Sequence, residues 1–428
     1  MIFLKDTILN KLQSNPVAQQ MLQFGNNIGN LFPNEEALCM ASAFMQDQQT
    51  RIVVKKNRYE AQQLYQRLKP LINDTLLFVM EESLRVQAIA SSPEDKQEQL
   101  YVLTQLVKED KPRIIICNTA AFLRYLPDKE LFKSLCYKFE VDQEITMAEL
   151  KQKLNRAGYT KVNYVDRPCT YASRGGIVDV YCLEYEHPIR IEFFDTVIES
   201  IRLFHEETQR TIQTIDSVLI NPATDLLFTD DQIEYLQKEI DSELEKQQVK
   251  LIQDDYDFLL DYIEKDKISI ENYNIDPHLY IYFSYLNANK LTDYVNGHII
   301  FSSQEEVESG YKKLNEETIS FIQEMVESHQ YLPKYCMFHD ILTFEKEHTI
   351  QMFHDFLDFK HPIFSNIETL EQSDQPLIQI LENLKGENIY ISLDEEHTKK
   401  VQEALKAYSI HRNITFIKDD FYEGFKYE

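Results

Sequence analysis

The sequence predicts an α/β fold in which a parallel-sheet domain is split by an inserted α+β unit and followed by a small α/β domain. Short apolar segments alternate with helical patterns over the first third of the chain, which is typical of a parallel sheet. Between Tyr171 and Arg210 the segments instead alternate apolar and polar residues, which is typical of an antiparallel meander. Helical patterns resume at Asp230, so we expect the meander to be inserted into the parallel-sheet domain.

The first domain is predicted from segments that follow one another along the chain. A helical stretch from about Lys5 to Phe24 opens it, and a second helix begins near Pro33 and runs through Phe44. Apolar strands with helical patterns between them come next. We place the strands at 51–56, 75–80, 113–118 and 297–301, and the intervening helices at 59–71 and in a long region ending at 109.

Capping and turn signals mark the insertion and the last domain. Thr146 and Glu149 form a capping-box pattern at the start of a helix that ends at Gly158. A final β-α-β unit has its strands at 388–393 and 413–417. We predict the parallel-sheet domain at 1–128 and 211–365, the inserted domain at 129–210 and the small α/β domain at 366–428.

Composition limits the classes of function. The chain of 428 residues has 71 acidic and 44 basic side chains, so its surface repels phosphate backbones and independent nucleic-acid binding is not expected. The net charge of −27 instead favours solubility and a basic partner surface. The six cysteines include no C-x-x-C pair, and no segment approaches 18 consecutive apolar residues. We therefore predict no metal site, no membrane span, and a cytoplasmic location with reduced thiols.

One strand of the meander has an unusual solvent side. Its core face is formed by Ile189, Ile191 and Phe193. Its other face is formed by Arg190, Glu192 and Phe194. An arginine and a phenylalanine about 13 Å apart on one face suit a contact surface better than a catalytic pocket. Arg174, which precedes the paired strand, is expected on the same face. The alternative is a covered sheet in which Phe194 packs under a neighbouring loop.

Arginine is concentrated around this strand. Six of the 13 arginines lie between Arg156 and Arg210, and none occurs from Thr211 to His411. Arginine is favoured at interfaces because its planar fork can pair with carboxylates. The concentration therefore favours a docking role for the meander, and the alternative is a drift in composition without functional meaning.

These residues carry a resemblance to a known family. The pattern reads Arg-Gly-Gly-Ile-x-Asp from Arg174, Pro-Ile-Arg-Ile-Glu-Phe-Phe-Asp from Pro188, Ile-Glu-Ser-Ile-Arg from Ile198 and Glu-Thr-Gln-Arg from Glu207. It resembles the UvrB-homology module of Mfd, the bacterial transcription-repair coupling factors, and the Thr-Gln-Arg ending is closer to that family than to UvrB. The match is dense over about 50 residues, and weaker similarity extends along the whole chain.

The resemblance implies the N-terminal region of such a factor, with a degenerate helicase-like domain around a UvrB-like insertion. It implies that this region recruits UvrA to stalled transcription in nucleotide excision repair. The family's UvrA-contacting positions correspond here to Arg174, Arg190 and Phe194. Replacement of Arg190 or Phe194 by alanine is expected to leave the fold intact. RNA polymerase and DNA are implied partners of full-length members through parts outside this chain. Whether the chain is a cut piece or a natural short form stays open.

The family's ATPase machinery has no counterpart in this sequence. Neither Gly-Lys-Ser nor Gly-Lys-Thr occurs, and the segment where a phosphate loop would lie, Gly29 to Ala37, carries Glu35 and Glu36 near the lysine position. Their charge would repel phosphate. The strand at 299–301 ends in serines where a magnesium-binding pair of acids would be expected. We predict no bound nucleotide, no cofactor and no catalytic residue.

Two other functions are kept as alternatives. A UvrB-like or helicase-like ATPase acting on damaged DNA would need the missing phosphate loop, and a structural scaffold would have lost UvrA binding as well. Two Phe-His-Asp triplets, at 338–340 and 353–355, offer pairs of metal ligands, but no further ligand follows at a recognisable spacing. A surface or helix-end role is expected for both triplets.

Overall fold

The computed structural model describes residues 5–23, 28–81, 93–273, 276–334, 336–354, 363, 365–370, 376–384, 388–418 and 421–427. The strands are β1 (Ile28–Gly29), β2 (Arg51–Lys55), β3 (Thr75–Phe78), β4 (Ile114–Asn118), β5 (Tyr137–Glu140), β6 (Thr160–Lys161), β7 (Thr170–Arg174), β8 (Ile177–Tyr181), β9 (Ile189–Phe194), β10 (Val197–Phe204), β11 (Thr211–Ile215), β12 (Ser217–Ile220), β13 (His298–Phe301), β14 (Ile350–His354), β15 (Ile367–Thr369), β16 (Ile389–Ser392), β17 (Ile414–Ile417) and β18 (Phe425–Tyr427).

The α-helices are α1 (Lys5–Lys11), α2 (Pro16–Gln20), α3 (Pro33–Asp47), α4 (Arg58–Leu68), α5 (Pro93–Lys108), α6 (Thr119–Leu123), α7 (Lys129–Ser134), α8 (Met147–Arg156), α9 (Asp230–Gln248), α10 (Gln253–Glu271), α11 (Leu291–Tyr294), α12 (Gln304–Glu327), α13 (Ile341–Glu347), α14 (Leu377–Asn383) and α15 (Glu395–Ala407). Short 3₁₀ segments add Leu12–Ser14 and Pro277–Tyr285. Among the residues that the structure describes, no helix combines the length and apolar character needed to cross a bilayer.

The parallel sheet has the strand order β1-β14-β13-β2-β4-β3, and each neighbouring pair runs parallel. Successive side chains of its strands enter different buried clusters, with Ile52 and Ile115 on one face and Val53 and Ile116 on the other. Helices supply the rest of both clusters, as expected for parallel strands joined by helical crossovers. Because β13 and β14 follow the meander in sequence yet lie beside β2 and β1, the predicted α/β fold with an insertion is confirmed.

The insertion is built on an antiparallel sheet. Its order is β11-β10-β9-β8-β7-β6, and the β6–β7 pair alone within it is parallel. Helix α8 starts with the predicted capping box at Thr146 and packs Leu150 and Leu154 on the inner face of the sheet. The antiparallel pair β5–β12 adds Phe139 and Val218 to the same core. The division at residue 210 stays a prediction, and this pairing attaches the later strand β12 to the insertion.

The predicted final β-α-β unit is formed by the elements between Ile389 and Ile417. Strands β16 and β17 pair in parallel, and α15 connects them. Their small core contains Leu381, Ile389 and Leu405. The antiparallel pair β15–β18 instead brings Phe425 and Tyr427 against the core of the parallel-sheet domain.

The opening helical stretch is broken, where one stretch reaching Phe24 was predicted. Asn15 has extended backbone between α1 and α2, and its Oδ1 accepts a hydrogen bond from the Val17 amide at 2.9 Å. Pro16 occupies the first position of α2, where its missing N–H costs nothing. A capping asparagine followed by proline therefore ends one helix and starts the next. Phe24 lies outside the described residues.

Candidate functional site

A two-residue glycine turn brings the end of β7 close to the end of β9. Gly175 and Gly176 join β7 to β8, and Gly175 has φ of +55°, a conformation that glycine adopts without strain. A Cβ on Gly176 would come within 3.0 Å of the Phe193 carbonyl oxygen. The Phe193 amide donates to the Gly176 carbonyl at 2.8 Å. The close approach places Arg174, at the end of β7, near the end of β9 where Phe194 lies.

Strand β9 has the two faces that its alternation predicts. Ile189 and Ile191 are fully buried in the core of the insertion, and Phe193 is nearly so. Phe194 is 74% exposed on the other face, so no loop of the described chain covers it. The next residue, Asp195, has φ of +55° in the turn to β10. A large apolar side chain is thus held open to solvent at the end of an ordered strand.

Arg190 lies on the face of Phe194 but is bound by its own chain. Asp179 stands opposite it on β8, and the Arg190 Nε and Nη2 atoms donate to the two Asp179 oxygens at 2.6 and 2.8 Å. The two side chains are only 8% and 9% exposed. The guanidinium carbon also lies 4.2 Å from the centre of the Phe204 ring. The hydrogen bonds to Asp179 raise the pKa of Arg190, so the guanidinium remains charged at any physiological pH.

Gln209, in the turn after β10, joins the two arginines. Its Oε1 atom accepts a hydrogen bond from Arg190 Nη2 at 2.6 Å and another from Arg174 Nη2 at 3.4 Å. Arg174 itself is exposed. The structure therefore brings Arg174 and Arg190 to one cluster, with Phe194 farther along the same strand as Arg190.

A second charged pair separates Arg190 from Phe194. Glu192 forms an ion pair with Arg202 of β10, and the Ser200 hydroxyl donates to Glu192 at 2.8 Å. The Arg202 side chain is 29% exposed, more than that of Arg190. Sequence reasoning missed Arg202 and Asp179 as members of this face. The cross-strand register supplies the signal, because Arg202 and Asp179 are the two direct neighbours of Arg190.

The other candidate region is the edge of the parallel sheet formed by the carboxyl ends of its strands, where a phosphate loop would lie in an ATPase. Strand β1 leads into α3, and Glu36 in the first turns of that helix is 1% exposed. Its carboxylate accepts from Lys55 Nζ at 2.7 Å and from the Ser302 hydroxyl at 2.5 Å. Lys55 ends β2, and Ser302 follows β13. A helix and two strands therefore meet on one buried carboxylate.

The neighbouring Glu35 serves its own helix. Its Oε2 atom accepts from the Phe32 amide at 2.9 Å, which caps α3, and its Oε1 atom accepts from the Ser365 hydroxyl at 2.6 Å. The two glutamates that stand near the expected lysine position are thus both engaged with protein donors. Glu305 and Glu306 lie in the first turn of α12, beyond the end of β13.

The Phe-His-Asp triplets are divided between structural contacts and undescribed residues. Asp340 caps α13 by accepting from the Leu342 amide at 3.1 Å, and the His339 ring contacts the Tyr125 ring edge-on. Asp355 lies outside the described residues. Within the part of the chain that the structure describes, no group of three or more His, Cys, Asp or Glu side chains is arranged to hold a metal ion.

The insertion and most of the chain are similar to known proteins. A family profile described as the UvrB interaction domain matches residues 137–226, from β5 to just past β12. The transcription-repair-coupling factor of Bacillus subtilis (strain 168) is 29% identical over 399 residues, which cover 87% of this chain and 33% of that protein. The factor of the same name from Staphylococcus haemolyticus is 29% identical over 305 residues, 70% of this chain and 26% of the relative. The chain spans about a third or less of the length of these curated relatives. It is therefore a relative of the N-terminal region of the transcription-repair-coupling factors and contains a UvrB interaction domain.

Proposed function

We propose that the chain is a non-catalytic docking module that recruits UvrA to stalled transcription in nucleotide excision repair. The observation that carries this proposal is Phe194, which stands 74% exposed within the UvrB interaction domain. Exposure alone does not mark a site, since Phe32 on the parallel-sheet domain is 73% exposed. Phe194 differs because it shares a face with Arg190, Arg202 and Arg174.

The chemistry of this face suits a protein partner. Aromatic and arginine side chains dominate the energetically important positions of protein interfaces. Arg174 is exposed and Arg202 partly so, so both can meet carboxylates of a partner. Arg190 contributes differently, because its guanidinium is already bound to Asp179. We infer that Phe194 is the apolar anchor, Arg174 a direct contact, and Arg190 a residue that shapes the surface.

The rival ATPase function has less support. The Glu36 carboxylate lies at the sheet edge where phosphates would bind, and it already accepts hydrogen bonds from Lys55 and Ser302. We therefore expect no ATP hydrolysis and no thermal shift with magnesium ATP. A shift of several degrees that saturates with ATP would contradict this part of the proposal.

The docking proposal is tested by titrating purified UvrA against this chain and its Phe194→Ala variant. The variant is expected to lose about 1–3 kcal/mol of affinity, roughly a 5- to 150-fold rise in Kd, because a central aromatic anchor is removed. Phe32→Ala is the matched control, as it removes an equally exposed phenylalanine from the other domain. Unchanged UvrA affinity in Phe194→Ala, or an equal loss in Phe32→Ala, would refute the site.

A further inference from the structure

We propose that Gln209 is a positioning residue of this docking surface, which fixes the direction of the Arg174 guanidinium by tying it to the buried Arg190. This inference rests on the proposed function and assigns a role to a turn residue. The Gln209 Oε1 atom is the shared acceptor, at 2.6 Å from Arg190 Nη2 and 3.4 Å from Arg174 Nη2.

Gln209 is itself held firmly. Its backbone amide donates to the His205 carbonyl at 2.7 Å, and its side-chain Nε2 donates to the Glu206 carbonyl at 2.8 Å. Its φ of +58° is in the left-handed region, which a non-glycine residue adopts only where surrounding contacts hold it. The carboxamide therefore has both ends occupied, with nitrogen on its own turn and oxygen on the two arginines.

The anchor beneath this contact is buried and fully paired with Asp179. Arg190 is clamped by both oxygens of Asp179 and lies over Phe204, which is 1% exposed. The Phe204 amide donates to the Pro188 carbonyl at 3.1 Å, just before β9 begins. One end of the Gln209 bridge is thus part of the folded core, and the other end, Arg174, is an exposed side chain.

The consequence is a pre-ordered arginine. A free surface arginine loses rotamer freedom when a partner binds it, and this loss weakens binding. Gln209 reduces that loss because Arg174 is already directed before the partner arrives. The single amide oxygen also leaves most of the five Arg174 N–H donors available for a carboxylate. Gln209 thereby acts on affinity without contacting the partner.

The experiment compares Gln209→Met, which keeps length but removes both hydrogen-bonding ends, with Gln209→Glu, which keeps an acceptor oxygen. UvrA affinity and thermal unfolding are measured for each, beside Gln213→Met as a control on the exposed strand β11. We expect Gln209→Met to remain folded at the assay temperature and to weaken UvrA binding about 3- to 10-fold, and Gln209→Glu and Gln213→Met to bind like wild type. In an Arg174→Ala background, Gln209→Met should have no further effect on Kd.

The Phe194→Ala variant distinguishes a failure of the docking proposal from a failure of the Gln209 proposal. If it leaves UvrA affinity unchanged, the docking function itself is wrong. If it weakens binding but Gln209→Met does not, the docking site stands and the role of Gln209 is overturned. The role is equally overturned if Gln209→Glu binds as poorly as Gln209→Met, or if Gln209→Met still weakens binding when Arg174 is absent.

Discussion

The outer face of the meander and the carboxyl-terminal edge of the parallel sheet each contain a buried ion pair between a basic side chain and a carboxylate. In the first, Arg190 and Asp179 are 8% and 9% exposed; in the second, Lys55 and Glu36 are 10% and 1% exposed. The two regions differ in what lies beside the pair. Glu36 also accepts from Ser302 and joins α3 to β2 and β13 in the interior, whereas Arg190 shares its face with the open Phe194.

This difference separates two uses of a buried ion pair. Around Glu36 the pair fills the carboxyl-terminal edge of the sheet, where related architectures bind ligands, and each carboxylate oxygen already accepts a hydrogen bond from the protein. Around Arg190 the pair supports a surface, because Gln209 and Arg174 extend from it toward solvent. A buried pair by itself therefore says little about function, and the exposure of its neighbours decides between the two uses.

The largest effect is expected when the interior pair of Glu36 and Lys55 is broken. Glu36→Ala leaves the Lys55 ammonium buried beside an orphaned Ser302 hydroxyl, which should cost about 3–5 kcal/mol of stability in the parallel-sheet domain. Chemical unfolding followed by circular dichroism measures this loss. The double variant Glu36→Leu with Lys55→Met should recover much of it, since an apolar pair of similar volume carries no desolvation penalty. A single variant within about 1 kcal/mol of wild type would mean that the pair contributes little.

The next largest effect is expected when the pair of Arg190 and Asp179, which supports the surface, is broken. Arg190→Ala should cost about 3 kcal/mol of stability in the insertion, because it leaves the Asp179 carboxylate buried without its cation. The sequence-based expectation, that the replacement leaves the fold intact, did not include this loss of stability. Arg174→Ala is the control, and it should change stability by no more than about 0.5 kcal/mol since its side chain is exposed. Equal unfolding curves for Arg190→Ala and Arg174→Ala would contradict the assignment of Arg190 to the interior.

The contrast also marks what sequence could predict. The two faces of β9 follow from a local period of two, so the burial of Ile191 and the position of Phe194 on the opposite face were predictable, whereas the period does not show that no loop covers Phe194. The partner of Arg190 depends on the register between β8 and β9, which the period alone does not define.

Longer-range partners were beyond the sequence for the same reason. Lys55 reaches Glu36 across 19 residues and Ser302 reaches it across 266, so only the folded sheet brings the three together. The sequence did indicate that Glu36 is incompatible with a phosphate, because that conclusion needs only its charge. It contained no sign that the carboxylate is satisfied internally.

A third buried carboxylate, Asp266, extends the comparison because its partner is a histidine, which can lose its proton near neutral pH. Asp266 accepts from His278 Nε2 at 2.8 Å and from the Tyr282 hydroxyl at 2.7 Å. Burial lowers the pKa of His278, but the hydrogen bond and charge of Asp266 more than offset this, so the pKa is raised. A raised histidine pKa contributes stability that is full below the unfolded value of about 6.5 and is lost as pH rises through the folded value.

We therefore expect His278→Gln to cost about 1 kcal/mol near pH 6 and less near pH 9. The Arg190–Asp179 pair should show no such dependence over this range, since the pKa of Arg190 is raised further and its guanidinium remains charged. Unfolding curves of wild type and His278→Gln at the two pH values check this directly. A difference that is constant with pH, or larger near pH 9, would show that the His278 contact does not depend on its charge.

The smallest expected effect on stability belongs to Phe194, the residue on which the docking proposal depends most. Because its side chain is already 74% exposed, Phe194→Ala removes little buried area and should change the free energy of unfolding by no more than about 0.5 kcal/mol. The same substitution should cost about 1–3 kcal/mol of UvrA affinity. Arg190→Ala is expected to lower both quantities, so the ratio of the two losses distinguishes an anchor from a supporting residue. Phe194→Ala could instead destabilise the insertion as much as Arg190→Ala does. Its loss of binding would then reflect unfolding, and Phe194 would not be the contact residue.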